Sequence, residues 1–134
     1  MKNMKKTVGV VGSRTLTECP ALLERLDVLH GACEVAAVVS GGAWGVDELA
    51  AGWAMRNLVP LTEYRPDYPT HGKAAPLVRN GQIVAAADVV LVCWDGVSRG
   101  TLDAARRAAR LGKPLEWLVM PAPATRPVAG GLGL

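Results

Sequence analysis

Phenylalanine is absent from this 134-residue chain, and the other aromatics number only four Trp and two Tyr. Aliphatic side chains must therefore fill the core. Cysteine is scarce too: Cys19, Cys33 and Cys93 are an odd set without CxxC spacing, which composes neither a disulfide framework nor a zinc site. Cys93 lies in an apolar run and reads as a small buried hydrophobe. His30 and His71 lack metal-ligand spacing and read as structural or surface residues, so no metal is expected. No apolar run approaches the roughly 20 residues of a membrane span. Thr7–Gly12, behind Lys2, Lys5 and Lys6, is too short for a signal-peptide core, and a cytoplasmic protein with no membrane partner is expected. A large charge of one sign is also missing. The net charge is +3, but between Thr7 and Met120 there are 11 basic and 12 acidic residues. That near balance disfavours a broad, charge-driven grip on nucleic acid.

What is present is alternation. Apolar runs at Thr7–Gly12, Val35–Ser40, Pro60–Arg65, Asp88–Trp94 and Leu115–Met120 read as strands. Between them lie helical stretches at about Leu16–Leu29, Val46–Asn57, Pro76–Ala87 and Thr101–Leu111. The first has an apolar stripe of Leu22, Leu23, Leu26 and Leu29. The second has Asp47 and Glu48 in its first turn, and the last stops at Gly112 and Pro114. Arg65–Pro69 reads as a loop, because two close prolines exclude a continuing helix. The pattern predicts one α/β domain over 1–120, a Rossmann-like doubly wound parallel sheet of about five strands in the order 3-2-1-4-5. A mobile Pro/Gly-rich tail is expected over 121–134.

Three glycine turns follow strands one, two and four: Gly12-Ser13-Arg14, then Ser40-Gly41-Gly42-Ala43-Trp44-Gly45-Val46-Asp47, then Asp95 through Thr101. In the expected strand order they converge on one crevice, where backbone amides and helix N-termini suit an anion. The first turn lacks GxGxxG and the chain lacks GxxxxGK[ST], so neither an NAD site nor a P-loop is expected. Gly12 alone reads as a tight turn. Arg14 supplies a donor fork that suits phosphate, or is a solvated surface arginine. Asp47 either faces its helix N-terminus or accepts from a ribose hydroxyl, a role Asp95 shares. Trp44 and Trp94 either flank a base or pack against the protein. Ser98 and Thr101 are plain caps or anion donors, Gly100 admits close approach, and Arg99 is ligand-facing or solvated. Arg79-Asn80 is either an exposed helix face or part of the pocket. Arg106, Arg107 and Arg110 read as a solvated face, and alanines on the same helix suit close approach of a second copy, so a homo-oligomer is expected.

Taken together and in this order, these motifs resemble the SLOG superfamily. That Rossmann-like group includes the DNA-processing protein A family, the "lonely guy" phosphoribohydrolases and small stand-alone YspA/YpsA-related proteins. The chain is most similar to the stand-alone members. The lonely-guy signature PGGxGTxxE implies an N-glycosidic phosphoribohydrolase. Gly100-Thr101 matches its GT, Ser98-Arg99 replaces the glycines before it, and Arg79 resembles the family's upstream arginine. The catalytic glutamate position is Ala104 here. Asp103 lies one residue earlier, turned by about 100° on a helix. Arg79 and Asp103 are therefore the catalytic candidates. The DNA-processing branch resembles this chain in SGxAxGxD, Tyr68-Pro69 and Arg79-Asn80, and implies single-stranded DNA binding. A third branch senses nucleotide-derived signals, which requires a phosphate pocket and no catalytic carboxylate. The leading expectation is a protein that binds a nucleotide or ribose-phosphate-containing small molecule, without a cofactor. Hydrolysis of nucleoside 5′-monophosphates and single-stranded DNA binding are the alternatives.

Overall fold

A computed structural model describes residues 5–119. The expected tail over 121–134 lies outside the described residues, as does Met120, the last residue expected in strand five. Five strands form one parallel sheet: β1 Lys6–Gly12, β2 Val35–Ser40, β3 Leu61–Glu63, β4 Val89–Cys93 and β5 Leu115–Val119. Their order is β3-β2-β1-β4-β5, as the alternation predicts. Gly12 is in register with Cys93, so β1 and β4 end side by side at the point where the winding reverses.

The central strands β1 and β4 are apolar on both faces because helices cover both. On one side, Val8, Val10, Leu91 and Cys93 pack against Leu22 and Leu26 of α1 (Pro20–Gly31) and Trp53 of α2 (Val46–Arg56). Trp53 is the largest buried side chain among the described residues, and its indole N–H finds Asp27 Oδ1 at 2.8 Å. On the other side, Val11, Val39, Val90 and Val92 meet Ile83 and Val84 of α4 (Ala75–Ala86) and Ala104, Ala105 and Ala108 of α5 (Arg99–Arg110). Those alanines bring α5 close to the sheet and leave its arginines outside.

Strand three is shorter than expected, Leu61–Glu63 rather than Pro60–Arg65, and three helices depart from the sequence expectation. α1 starts at Pro20, not near Leu16, because proline suits the first helical turn, where its missing N–H costs nothing. Two prolines do not exclude a short helix between β3 and α4. α3 (Tyr68–His71) is capped by Asp67, whose Oδ1 accepts the Thr70 N–H at 3.2 Å, and Pro69 again sits in the first turn. A 3₁₀ turn, Gly72–Ala74, joins α3 to α4. Finally, α5 starts at Arg99, which places Gly100 and Thr101 in its first turn.

Candidate functional site

The ends of β1, β2 and β4 open onto a cavity of about 340 Å³, within the range of small-ligand sites. Gly12 and Arg14 line it from the first turn, Gly41, Gly42, Ala43 and Asp47 from the second, and Ser98, Gly100 and Thr101 from the third. Arg79 and Asn80 of α4 complete the lining expected from the sequence. Arg65, Tyr68 and Leu77 also line it and were not among the expected residues. Arg65 was legible in principle. β3 lies beside β2, so a residue just past the end of β3 faces the second glycine turn.

The glycines of the turns have different causes. A Cβ on Gly12 would strike Val46, so this glycine lets α2 pack on β1. A Cβ on Gly41 would collide with the Arg79 guanidinium. Gly42 and Gly45 have φ of 68° and 72°, a region that disfavours other residues. A Cβ on Gly100 would meet no protein atom within 4 Å, so packing does not account for that glycine.

Polar contacts tie the second turn to α4. Asp47 is 6% exposed, and its Oδ2 accepts the Ala43 N–H at 3.0 Å. Burial pushes the Asp47 carboxyl above its ordinary value, opposed by the Ala43 amide and by the Arg79 charge. Arg79 donates from Nη1 to the Gly41 carbonyl at 2.8 Å and from Nε to Asn80 Oδ1 at 3.1 Å. Burial pulls its guanidinium below the usual arginine value, with Asp47 opposing, yet arginine stays charged in proteins. Asn80 Nδ2 reaches the Gly100 carbonyl at 3.2 Å and Asp103 Oδ2 at 3.0 Å, joining α4 to the first turn of α5. Arg65 donates to the Gly42 carbonyl at 3.2 Å and to Glu63 at 2.9 Å.

The remaining expected residues lie beneath or beside the cavity. Ser13 is buried. Its N–H donates to the Cys93 carbonyl, and its Oγ accepts the Asp95 N–H at 3.0 Å. Ser40 is buried under the second turn. Asp95 holds the third turn together by accepting from Val97 N–H, Ser98 N–H and Thr15 Oγ1. Burial pulls its carboxyl upward, but those hydrogen bonds outweigh burial and hold it below its ordinary value. Trp94 donates from its indole N–H to the Ser98 carbonyl at 2.8 Å and meets Trp117 edge to face. Trp44 is 70% exposed and does not line the cavity. Arg99 and Asp103 line a second depression, on the outer side of α5. Asp103 is held there by Asn80 and by Arg107 Nε at 2.8 Å. Ala104, at the position of the lonely-guy glutamate, does line the crevice.

The crevice therefore gathers three guanidinium-bearing residues, Arg14, Arg65 and Arg79, around one carboxylate, Asp47. Two amides expected to face an anion, those of Ser13 and Ala43, are engaged within the protein. The remaining cavity-lining donors are mainly guanidinium groups and the hydroxyls of Ser98 and Thr101. No cluster of metal ligands occurs among the described residues, and no helix among them is long and apolar enough to cross a membrane.

Asp47 carries a pH signature. A carboxyl raised on folding binds more protons folded than unfolded between its ordinary and raised values. Its contribution to stability therefore falls as pH climbs through that window. Asp95, held low, acts in the opposite sense and below the window. The stability difference between wild type and Asp47→Asn, read from urea midpoints, is expected to move against wild type as pH rises from 3.8, then to level off. A difference independent of pH would contradict the buried, raised carboxyl.

Known proteins are similar to this chain in sequence and in fold. A family model described as the YspA, cpYpsA-related SLOG family matches residues 7–71, from β1 through α3. The "Gene 61 protein" of Mycobacterium phage D29 is 37% identical over 118 residues, covering 82% of this chain and 94% of the phage protein. Among solved structures, DNA processing protein A from Helicobacter pylori, described as having a unique single-stranded DNA binding mode, matches with a TM-score of 0.62 and 26% identity. That match covers 85% of this chain but 64% of the Helicobacter chain, so this chain spans less than two thirds of that structure.

Proposed function

This chain belongs to the YspA, cpYpsA-related SLOG family, and from that premise we propose that its crevice binds a nucleotide or another ribose phosphate. One observation carries the reading: Arg14, Arg65 and Arg79 reach a single cavity from three different elements, against one carboxylate. A phosphate would sit among these guanidinium groups, near the Ser98 and Thr101 hydroxyls and over Gly100, where no side chain intrudes. Asp47 is placed to accept from a ribose hydroxyl, and Tyr68 and Leu77 offer an apolar wall to a base.

Isothermal titration against nucleoside mono-, di- and triphosphates and ribose 5-phosphate tests this. Arg14→Ala is expected to weaken binding of the preferred ligand about tenfold or more. Gly100→Ala separates ligand room from folding. Alanine suits a helix better than glycine, so stability is expected to rise by up to about 1 kcal/mol while ligand affinity falls. No binding by any member of the panel, with Arg14→Ala and Gly100→Ala indistinguishable from wild type, would defeat the reading.

The hydrolase alternative draws less support, because Asp103 is held outside the crevice by Asn80 and Arg107. Free base released from a nucleoside 5′-monophosphate, and lost in Arg79→Ala, would restore it. Single-stranded DNA is the second reading, favoured by the likeness to the Helicobacter protein. A gel-shift titration at low salt that shows no complex would dismiss it.

A further inference from the structure

We propose that Cys19 and Cys93 form a redox-modification site, which a hydroperoxide oxidises to a disulfide that clasps the segment carrying Arg14. The effect on ligand affinity rests on the reading of the crevice as a nucleotide site; the clasp itself does not. The two thiols stand 74 positions apart in the chain, so motif spacing does not reveal them. The fold buries both and brings their sulfurs to 3.3 Å. Cys93 ends β4, and Cys19 directly precedes α1.

Three observations set this pair apart from ordinary core packing. First, Cys93 holds both ends of the segment 13–19. Its carbonyl accepts the Ser13 N–H at 3.0 Å, and its sulfur meets that of Cys19. Second, helix stability does not explain a cysteine at position 19. It occupies the N-cap of α1, where Ser, Thr, Asp or Asn would supply a hydrogen bond, and its side chain makes no cap. Third, the segment between these ends carries Arg14, which lines the crevice, and Thr15, whose hydroxyl donates to Asp95 Oδ2 at 2.7 Å. A bond at Cys19 therefore acts on the joint between the first and third glycine turns.

The surroundings of the two thiols set the order of events. Cys93 has no exposed surface, and burial pushes its thiol well above its ordinary value, so it keeps its proton. Cys19 lies beside Thr17 and Glu18, which are exposed. Opening this loop costs less than unfolding the sheet and brings peroxide to Cys19 first. The Cys19 sulfur attacks one peroxide oxygen, and the O–O bond breaks. With hydrogen peroxide, the leaving hydroxide takes the Cys19 proton and departs as water, which leaves Cys19 a sulfenic acid. When the loop recloses, the Cys93 sulfur attacks the Cys19 sulfur. The S–O bond breaks, and the hydroxyl leaves with the Cys93 proton as a second water. The two thiols have lost two electrons and two protons, and one hydrogen peroxide has become two waters. The sulfurs must approach by about 1.2 Å, from 3.3 Å to the roughly 2.05 Å of a disulfide. The loop supplies that movement, because β4 is held between β1 and β5.

The test starts from the Cys33→Ser variant, since Cys33 is exposed at the opposite end of the sheet and would react by itself. Treated while folded with hydrogen peroxide, this protein is expected to lose two hydrogens in intact mass. Digestion should yield a peptide cross-linked between Cys19 and Cys93, and dithiothreitol should restore both thiols. The melting temperature is expected to rise by on the order of 10 °C. Hydrogen exchange at Leu16, whose N–H donates to the Ser13 carbonyl, should slow. Affinity for adenosine 5′-monophosphate is expected to rise about threefold, because the segment carrying Arg14 is ordered before the ligand arrives. Adding Cys19→Ser, a residue that suits an N-cap, should leave Cys93 a thiol and abolish all of these changes. Retention of both thiols by the folded protein would overturn the site, as would sulfinic acids without a cross-link. A bond that leaves Leu16 exchange unchanged would overturn the clasp, and equal nucleotide affinity in both states would overturn the regulation. Failure of the crevice reading looks different: the nucleotide binds neither form, while the cross-link, the melting shift and the slowed exchange remain.

Discussion

Gly45→Ala is expected to cost about 4 kcal/mol of stability, enough to unfold a marginal domain. Two terms add. Gly45 has φ 72° and ψ −121°, a conformation that costs an L-residue about 1–3 kcal/mol. Its new Cβ would also lie 2.6 Å from the Arg14 carbonyl oxygen and 2.7 Å from that of Ser13. Both contacts are with backbone, so no side-chain rotation relieves them. The Ser13 carbonyl already accepts the Leu16 and Val46 N–H groups, so moving it disturbs the joint between the first and second glycine turns.

Gly72→Ala supplies the control. Gly72 has φ 57° and ψ −135°, close to Gly45, but a Cβ there would meet nothing within 4 Å. It carries the backbone term alone, about 1–3 kcal/mol. Urea midpoints of the two variants, with equal slopes, separate the terms. Equal losses would mean that the contact between the turns contributes nothing and that the crevice wall is looser than the geometry implies.

These two glycines mark how far the sequence could be read. Periodicity located every strand and predicted the sheet order, because continuous apolar runs separated by helical stretches leave few ways to wind a parallel sheet. The convergence of three glycine turns followed from that order. The cause of each glycine did not. Gly12 reads as a turn, but its place is fixed by Val46, a contact that requires the packing angle of α2. Arg65 escaped because it lies in no glycine motif; it enters the cavity through sheet order alone. The short helix α3 was hidden by Pro69, which breaks a helix interior but suits a first turn. Trp44 and Trp94 each carried two open readings, since a tryptophan's surroundings are set by tertiary contacts. Trp94 proved to brace the third turn through Ser98, and Trp44 to stand in solvent. Asp103 lay one residue from the family's glutamate, and a helix turns one residue away by about 100°.

If the crevice binds the proposed ligand, Arg79→Ala is expected to reduce that affinity about 100-fold, and in any case to lower stability by about 1–2 kcal/mol. The affinity estimate follows from losing charge-assisted hydrogen bonds, worth about 1.5–3 kcal/mol each where the site excludes water. Arg79 is half-buried and already positioned by Gly41 and Asn80, so it loses little entropy on binding. The stability loss comes from the same contacts. Truncation leaves the Gly41 carbonyl without its donor and removes the cation that offsets the buried Asp47 carboxylate. Arg79→Lys keeps the charge but not the fork, and is expected to recover about tenfold in affinity. The double variant Arg79→Ala with Asp47→Asn separates the two effects. Stability should partly return, because the unpaired buried charge is gone, whereas affinity should not. Such a cycle distinguishes an arginine that holds the ligand from one that only shields Asp47. If Arg79→Ala bound as wild type while the double variant restored stability, Arg79 would be a structural counter-ion and the phosphate site would shift to Arg14 and Arg65.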